Sequence, residues 1–355
     1  PIIPVSSLTG EGVDSLRDAL IAAEAQVAHR TADAGFRLAV DRSFTLQGAG
    51  TVVTGTVLSG QVAVGDLVTI SPSGIAARVR GIHAQNRQAT RGLAGQRCAL
   101  NLAGEAVAKD AIHRGDIVLA PALHAPTERI DAVLTVLETE PKPIGTWFPA
   151  RLHSHAAELG ARIVPLGDPI APGHSGPVQI VLDRPIAATI GDQFILRDVS
   201  ASRTIGGGHF LDLRPPARKR RTPERLALID AAQAPDPLQA MLAVGPVDSA
   251  VFMRDRALSP ADAAAALSGA RMVAGLALSP AHLDALQRGI IDALSAFHAE
   301  NPDLPGMGRE RLRLALTPRL PKDAYLALLR GEADAGRIVP DGAFLRLPGH
   351  EVRLS

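Results

Sequence analysis

Charged residues at the ends of apolar runs are the first candidates for chemistry. Asp41 and Arg42 follow the run Phe36–Val40, and Arg97 precedes Cys98-Ala99-Leu100. Strand-end cations from two separated segments can converge at the mouth of a β-barrel. There, two guanidinium groups could hold an anion while Asp41 orients one of them. An anion withdrawn from water needs such partners, because desolvation alone is costly. The same three residues equally suit a solvated surface ion pair, which contributes little. A second cluster, Arg218-Lys219-Arg220-Arg221, fits either phosphate contact or a solvated charge run. Ser6-Ser7-Leu8-Thr9-Gly10-Glu11-Gly12 reads as a strand-to-helix loop with Ser or Thr caps. His83, His153 and His155 have no metal-ligand spacing with Cys or acidic partners. They read as surface or satisfied polar residues, and no metal site is expected. The lone cysteine, Cys98, excludes an internal disulfide and reads as a small buried hydrophobe. Gly48 and Gly50 lack a third glycine opening a helix, so they read as turn glycines rather than a dinucleotide loop.

The elements that must position these residues follow from periodicity. Phe36, Leu38 and Val40 alternate with Arg37, Ala39 and Asp41, the pattern of a half-buried strand. Gln47-Gly48-Ala49-Gly50 breaks the run, and the β-branched Thr51–Val57 resumes it. Residues 36–122 are β-rich and punctuated by Gly65-Asp66 and Gly115-Asp116. In 127–214, Ile130–Leu137, Trp147–Leu152, Ala161–Val164, Pro177–Leu182 and Gln193–Arg197 read as strands. Two such blocks suit barrels or sandwiches. Residues 1–30 read as a short strand, Ile2–Val5, then the loop, then a helix with Val13, Leu16, Leu20 and Ile21 on one face. A Pro-rich basic linker, 215–225, leads to a helical region. Two winged-helix modules are expected, at 226–278 and 279–355. In the second, Leu283, Leu286, Ile290, Leu294 and Phe297 keep helical spacing. Arg311–Leu316 and Ala324–Leu329 are further helices, and Arg337–Val339 with Ala343–Leu347 forms a hairpin. The fold class expected is multidomain, β then α.

Composition narrows the function classes. The chain has 355 residues, 46% hydrophobic and 21% charged, as in an ordinary soluble globular protein. Aromatics are only 3%, so the cores must be aliphatic. No run approaches the ~20 apolar residues of a membrane helix, and Pro1-Ile2-Ile3-Pro4 does not look like a signal peptide. The net charge of +1 means that nucleic-acid contacts must come from local patches. The absence of an initiator Met suggests a fragment, and the single cysteine fits a cytoplasmic protein.

Four blocks, in order, carry a resemblance. DRSF with GAGTVVTG and VAVGDLV looks like the second, β-barrel domain of translational GTPases such as elongation factor Tu. PVSSLTGEGVDSL looks like their last guanine-binding motif and final helix, with Ser6-Ser7-Leu8 in place of Ser-Ala-Leu. GQRCALNLAG resembles a second-domain segment lining the aminoacyl pocket, and RDVSASRTIGGGHFLDL resembles the end of the third domain. The basic linker with tandem winged helices, and FHAENPDLPGMGRERLR, are similar to the selenocysteine-specific elongation factors. An acidic residue is usual at the position of Arg42 in elongation factor Tu, so a cation there fits selenocysteine's selenolate.

The resemblance implies a GTPase remnant at 1–30, barrels at 36–122 and 127–214, and a guanine contact through Ser6, Ser7 and Leu8. It implies a selenocysteinyl pocket of Asp41, Arg42 and Arg97, and RNA contacts from Arg203, Arg218, Lys219, Arg220 and Arg221. It also implies GTP and Mg²⁺ in the full-length protein, and as partners selenocysteinyl-tRNA, the ribosome and a messenger RNA hairpin, with a monomeric state. The sequence contains no GxxxxGK[ST] phosphate loop and no NKxD. It is therefore expected to lack most of the GTPase domain, which would precede residue 1, and further C-terminal winged helices. No catalytic residue is expected, and the chain alone should not hydrolyse GTP. Two alternatives are the GTPase subunit of sulfate adenylyltransferase, which should lack the winged-helix tail, and a winged-helix DNA-binding regulator. The latter would need a basic recognition helix, whereas Ser259–Ala270 is nearly uncharged.

Overall fold

A computed structural model describes residues 2–26, 33–48 and 50–352. Pro1, residues 27–32, Ala49 and residues 353–355 lie outside the described residues, so the outer ends of the 1–30 and 279–355 segments and the centre of the Gln47–Gly50 turn do too. Helix α1, Val13–Gln26, forms as expected. Its apolar face is not packed: Leu20 and Ile21 are exposed. Ile2–Val5 is not a strand. It has no pairing neighbour among the described residues, and Pro4 removes one ladder donor.

The first barrel comprises β1 (Arg37–Leu46), β2 (Gly50–Ser59), β3 (Gln61–Ala63), β4 (Leu67–Ser71), β5 (Ile75–Ala84), β6 (Arg87–Ala89), β7 (Arg91–Leu93), β8 (Arg97–Ala103) and β9 (Ile117–Leu119). The order β4-β9-β1-β2-β8-β5 closes through a β4–β5 pairing. Leu38, Val40, Val53, Val57, Ile82 and Leu100 fill its interior. The alternation read for β1 fails at Arg37 and Ala39, which are also buried. The second barrel covers that outer face, where the Arg37 guanidinium pairs with Asp192 and His155 Nε2 lies 3.2 Å from Asp192 Oδ1.

The second barrel comprises β10 (Thr127–Val136), β11 (Phe148–Ser154), β12 (Ala157–Pro165), β13 (Ser175–Ile186), β14 (Gln193–Arg197) and β15 (Thr204–Asp212). It closes in the order β10-β13-β12-β11-β14-β15. Its interior is aliphatic apart from Phe194 and Phe210, stacked at 5.3 Å. Strand β15 was not among the expected strands, because Gly206-Gly207-Gly208 has little β-propensity. Those glycines are required sterically: a Cβ at Gly206 or Gly208 would lie 2.2 or 1.7 Å from the carbonyl oxygens of Thr135 or Val133 on β10.

The helical region opens with α2 (Pro223–Ala232), so the linker ends earlier than 225 and Arg225 is a helical residue. Then follow α3 (Pro237–Val244), β16 (Val247–Asp248), α4 (Ser249–Asp255), α5 (Pro260–Leu267), β17 (Arg271–Val273) and β18 (Leu276–Leu278). The second module runs α6 (Pro280–Glu300), β19 (Met307–Gly308), α7 (Arg309–Ala315), α8 (Lys322–Asp334), β20 (Val339–Asp341) and β21 (Phe344–Arg346). Four helices start on one device, a capping side chain followed by proline at the first helical position: Thr222, Asp236, Ser259 and Ser279 each accept from the backbone N–H three residues on. The two small sheets share one plan, β16-β18-β17 and β19-β21-β20. Helix, strand, two helices and a two-strand wing therefore occur twice.

Polar seams join the first module to the barrels. Arg225 pairs with fully buried Asp131 and, at 2.6 Å, with Asp212. Arg214 Nε lies 3.3 Å from Asp255 Oδ2, and the Ile190 and Gly35 N–H groups donate to the Asp255 and Ala257 carbonyls at 2.8 and 3.0 Å.

Candidate functional site

Four neighbouring strands of the first barrel build one polar row. Arg42 on β1 faces Thr54 on β2, Thr54 faces Ala99 on β8, and Ala99 faces His83 on β5. The β1–β2 register shifts between Val40 and Arg42, so Asp41 is an extra residue in the ladder. Such a bulge re-aims a side chain. The Asp41 carboxylate accepts from Thr54 Oγ1 at 2.7 Å and from both terminal nitrogens of Arg97, Nη2 at 3.1 Å. Beside Arg97, the β5–β6 hairpin turns through Gln85 and Asn86, at φ +51° and +62°. Two successive left-handed residues make the turn type that matches strand twist, one that ordinarily selects Asn-Gly. The Gln85 N–H donates to the Arg97 carbonyl at 3.1 Å, which fixes the turn over the strand end. A cavity of about 120 Å³ results, lined by Thr54, His83, Gln85, Asn86, Arg97, Cys98 and Ala99.

The electrostatics beside the cavity centre on the Asp41–Arg97 ion pair. Burial works against the Asp41 carboxylate, but the Arg97 and Thr54 hydrogen bonds and the charges of Arg97 and Arg42 outweigh it. They hold its pKa below the usual carboxylate range. The bond to Asp41 raises the pKa of Arg97 in turn. Arg42 is exposed and makes no hydrogen bond or ion pair among the described residues. Arg97 is the one guanidinium that lines the cavity, and it is already paired with Asp41; Arg42 lies outside the lining, opposite Thr54 across the ladder. Cys98 is buried beneath, and burial pushes its thiol up, away from reactivity. Of the expected residues, Asp41 and Arg97 meet directly, and Arg42 stands directly across the ladder from Thr54, the other partner of Asp41. Thr54 and His83 were missed as site residues. The TVVTG run signals a strand at Thr54, and His83 reads as a surface or satisfied polar residue.

The other candidates are dispersed. The Ser6–Leu8 loop is held by Ser6 N–H to Glu11 O at 3.0 Å and Thr9 N–H to Ser6 Oγ at 3.2 Å, and Leu8 is 95% exposed. Arg203 is committed to a structural pair: its Nε donates to Glu140 Oε1 at 2.7 Å, and the Glu140 carboxylate is nearly buried. Arg218 and Lys219 are exposed, with no hydrogen bond or ion pair among the described residues. Arg221 Nη2 donates to Pro165 O at 2.7 Å. Arg220 stacks over Trp147, which was read only as the start of a strand. His153, expected to be a surface or satisfied polar residue, is half-buried, and its buried Nε2 has no partner among the described residues. No group of His, Cys, Asp or Glu among the described residues could hold a metal, and no described helix is long and apolar enough to cross a membrane.

Comparison with known proteins gives this geometry its context. Residues 131–217 match the family described as selenocysteine-specific elongation factor, beta-barrel domain; residues 291–347 match elongation factor SelB, winged helix; and residues 50–119 match elongation factor Tu domain 2. The selenocysteine-specific elongation factor of Escherichia coli (strain K12) is 36% identical over 98% of this chain and 55% of its own length. Over nearly all of its length, the chain is similar to selenocysteine-specific elongation factors. That of Desulfomicrobium baculatum is 29% identical over 100% of the chain and 58% of its own length. A crystal structure of a bacterial selenocysteine-specific elongation factor superposes with a TM-score of 0.72 at 20% identity, over 97% of this chain and 55% of that one. The two-barrel and winged-helix fold is therefore shared with these factors, and the chain spans about half the length of the curated relatives it matches.

Proposed function

We propose that this chain carries the tRNA-holding barrels and RNA-facing modules of a selenocysteine-specific elongation factor. In this reading the factor is cytoplasmic and monomeric, and delivers selenocysteinyl-tRNA to the ribosome at recoded stop codons in a GTP-dependent manner. The supporting observation is the Asp41–Arg97 pair at Thr54 with Arg42 left unpaired beside it. A selenol is more acidic than a thiol, so selenocysteine arrives as an anion. The two guanidinium groups complement it, and Asp41 keeps Arg97 oriented. A seryl side chain would leave the same cations without a counter-charge. Arg218, Lys219, Arg220 and Arg221 would contact RNA phosphates, with Arg203 the weaker candidate because Glu140 already holds it. The winged-helix modules would face a messenger RNA hairpin.

GTP and Mg²⁺ belong to the activity of the whole factor, where the nucleotide would set the affinity for tRNA. The Ser7 and Leu8 N–H groups make no hydrogen bond among the described residues, which suits an acceptor such as a guanine carbonyl oxygen.

The test uses the chain carrying a translational GTPase domain in front of the first barrel. Arg42→Asp or Arg97→Asn should erase the preference for selenocysteinyl- over seryl-tRNA and spare GTP binding. A charge-assisted contact is worth about 1.5–3 kcal/mol, roughly tenfold or more in affinity. A ratio of the two affinities that survives both substitutions would remove the pocket assignment.

A further inference from the structure

The linker and the second barrel form another polar surface, away from the residues of the anion pocket. Trp147 is the chain's single tryptophan. It precedes β11, is 45% exposed and has a φ of +61°. A bulky side chain in the left-handed region is a genuine outlier, and outliers of this kind concentrate at ligand clamps. Exposure leaves the indole little burial to offset that strain. The guanidinium of Arg220 lies 5.5 Å from the ring centroid. Its Nη2 donates to the Ala217 carbonyl at 3.1 Å, whereas its Nη1 is buried and has no partner. Lys219 also has a left-handed backbone, φ +55°, and its ammonium is unpaired. Arg221, bonded to Pro165 O, pins the linker to β12. These residues line a groove of about 480 Å³ with Thr146, Val164 and Thr222, and no carboxylate borders it.

An exposed aromatic face, a guanidinium stacked beside it, an unpartnered buried donor and a free ammonium match the parts of a nucleotide. Bases stack on aromatic rings whatever their identity, and phosphates take the cations. A base within a duplex already has its faces covered, so the complement is an unpaired one. An acidic peptide would satisfy the cations but leave the indole unused. We propose that the Trp147–Arg220 groove binds an unpaired RNA nucleotide, with the base stacked on Trp147 and its phosphate held by Lys219, in the field of the Arg220 guanidinium. The proposal rests on the RNA-contacting reading above and assigns to it a stacking platform.

Because Trp147 is the sole tryptophan, its emission reports this groove alone. The full chain is titrated with an eight-residue oligoadenylate, its blunt duplex with oligouridylate, polyphosphate and an oligoglutamate, while binding of labelled oligoadenylate is followed separately by anisotropy. The expected result is saturable quenching by the single strand and not by the duplex, polyphosphate or oligoglutamate. Trp147→Leu should weaken single-strand binding about tenfold, and Trp147→Phe should restore most of it. Arg220→Gln should weaken it and flatten the salt dependence. Binding by anisotropy without a change in emission overturns the stacking site while leaving RNA contact by the linker standing. Equal quenching by polyphosphate or oligoglutamate overturns it in favour of a general polyanion patch. Absence of any RNA binding overturns both readings. Should Trp147→Leu fail to fold, the wild-type comparison of the four ligands decides.

Discussion

Asp41, with Arg97 hydrogen-bonded to it and Arg42 close by, controls how the pocket titrates. Its folded pKa lies below that of the unfolded chain, despite partial burial, because the Arg97 and Thr54 bonds favour the charged form. Its stabilising contribution is therefore complete above the ordinary carboxylate range and is lost as pH falls through the lowered value. The side chains of Asp41 and Arg97 remain 28% and 52% exposed, so solvent screens the pair. Arg97→Ala should move the Asp41 titration, followed by carboxyl NMR, up toward the usual range. It should change global stability at neutral pH by less than about 1 kcal/mol. An unmoved titration would show that Arg97 does not set the charge of Asp41. The three charged residues were legible in the sequence because each flanks an apolar run, but only Arg97 stands at a strand end: β1 continues through Asp41 and Arg42 to Leu46. That Asp41 bridges Thr54 and Arg97 was not legible, because period-two reading has no place for a bulged residue.

Elements show the same division. Five strands of the second barrel were marked by short apolar runs, whereas the capping side chain and proline that open four helices were not read as helix starts. Strand β15 was hidden because its glycines serve its neighbour's carbonyls rather than its own propensity. The basic linker was read as one charge run, yet its last arginine is structural. Arg225 sits in the first turn of α2 and neutralises Asp131, which has no solvent exposure. Gln179 Nε2 supplies Asp131 with a further bond at 2.9 Å. Arg225→Met should leave that carboxylate buried with its guanidinium gone. The cost should be about 3–5 kcal/mol in denaturant unfolding, the range for breaking a buried pair. The double change Arg225→Met with Asp131→Leu should recover much of the loss, since removing both partners strands no charge. A single variant within about 1 kcal/mol of wild type would mean that water reaches Asp131 and that α2 is anchored by its apolar contacts instead.

At the scale of the molecule, what the sequence hid is mostly what one domain does to another. Arg37 read as the solvent face of β1, and only the second barrel turns it into a buried residue paired with Asp192. Burial opposes the Asp192 carboxylate, but His155 and Arg37 hold its pKa below the usual range. Asp192→Ala should strand the Arg37 guanidinium between the barrels and lower stability by about 3–5 kcal/mol, monitored by Trp147 emission in the second barrel. A loss below about 1 kcal/mol would place the strength of the inter-barrel seam in Ala39, Ile117 and Leu119. The whole chain also sets a limit on chemistry. Phosphoryl transfer needs a backbone cradle and lysine on the phosphates, and a Ser/Thr and an acid on Mg²⁺. None of the 355 residues forms a GxxxxGK[ST] or NKxD motif, and Ser6–Leu8 stand on an open loop before a helix whose apolar face is unpacked. A guanine contact alone positions no charge against the reacting phosphate. The purified chain should therefore show no GTP turnover above a heat-inactivated sample, with Mg²⁺ or with a chelator. Turnover that appears with Mg²⁺ and disappears on chelation would require a phosphate site built from residues that carry none of the known motifs, and the assignment of the loop would have to be redrawn around it.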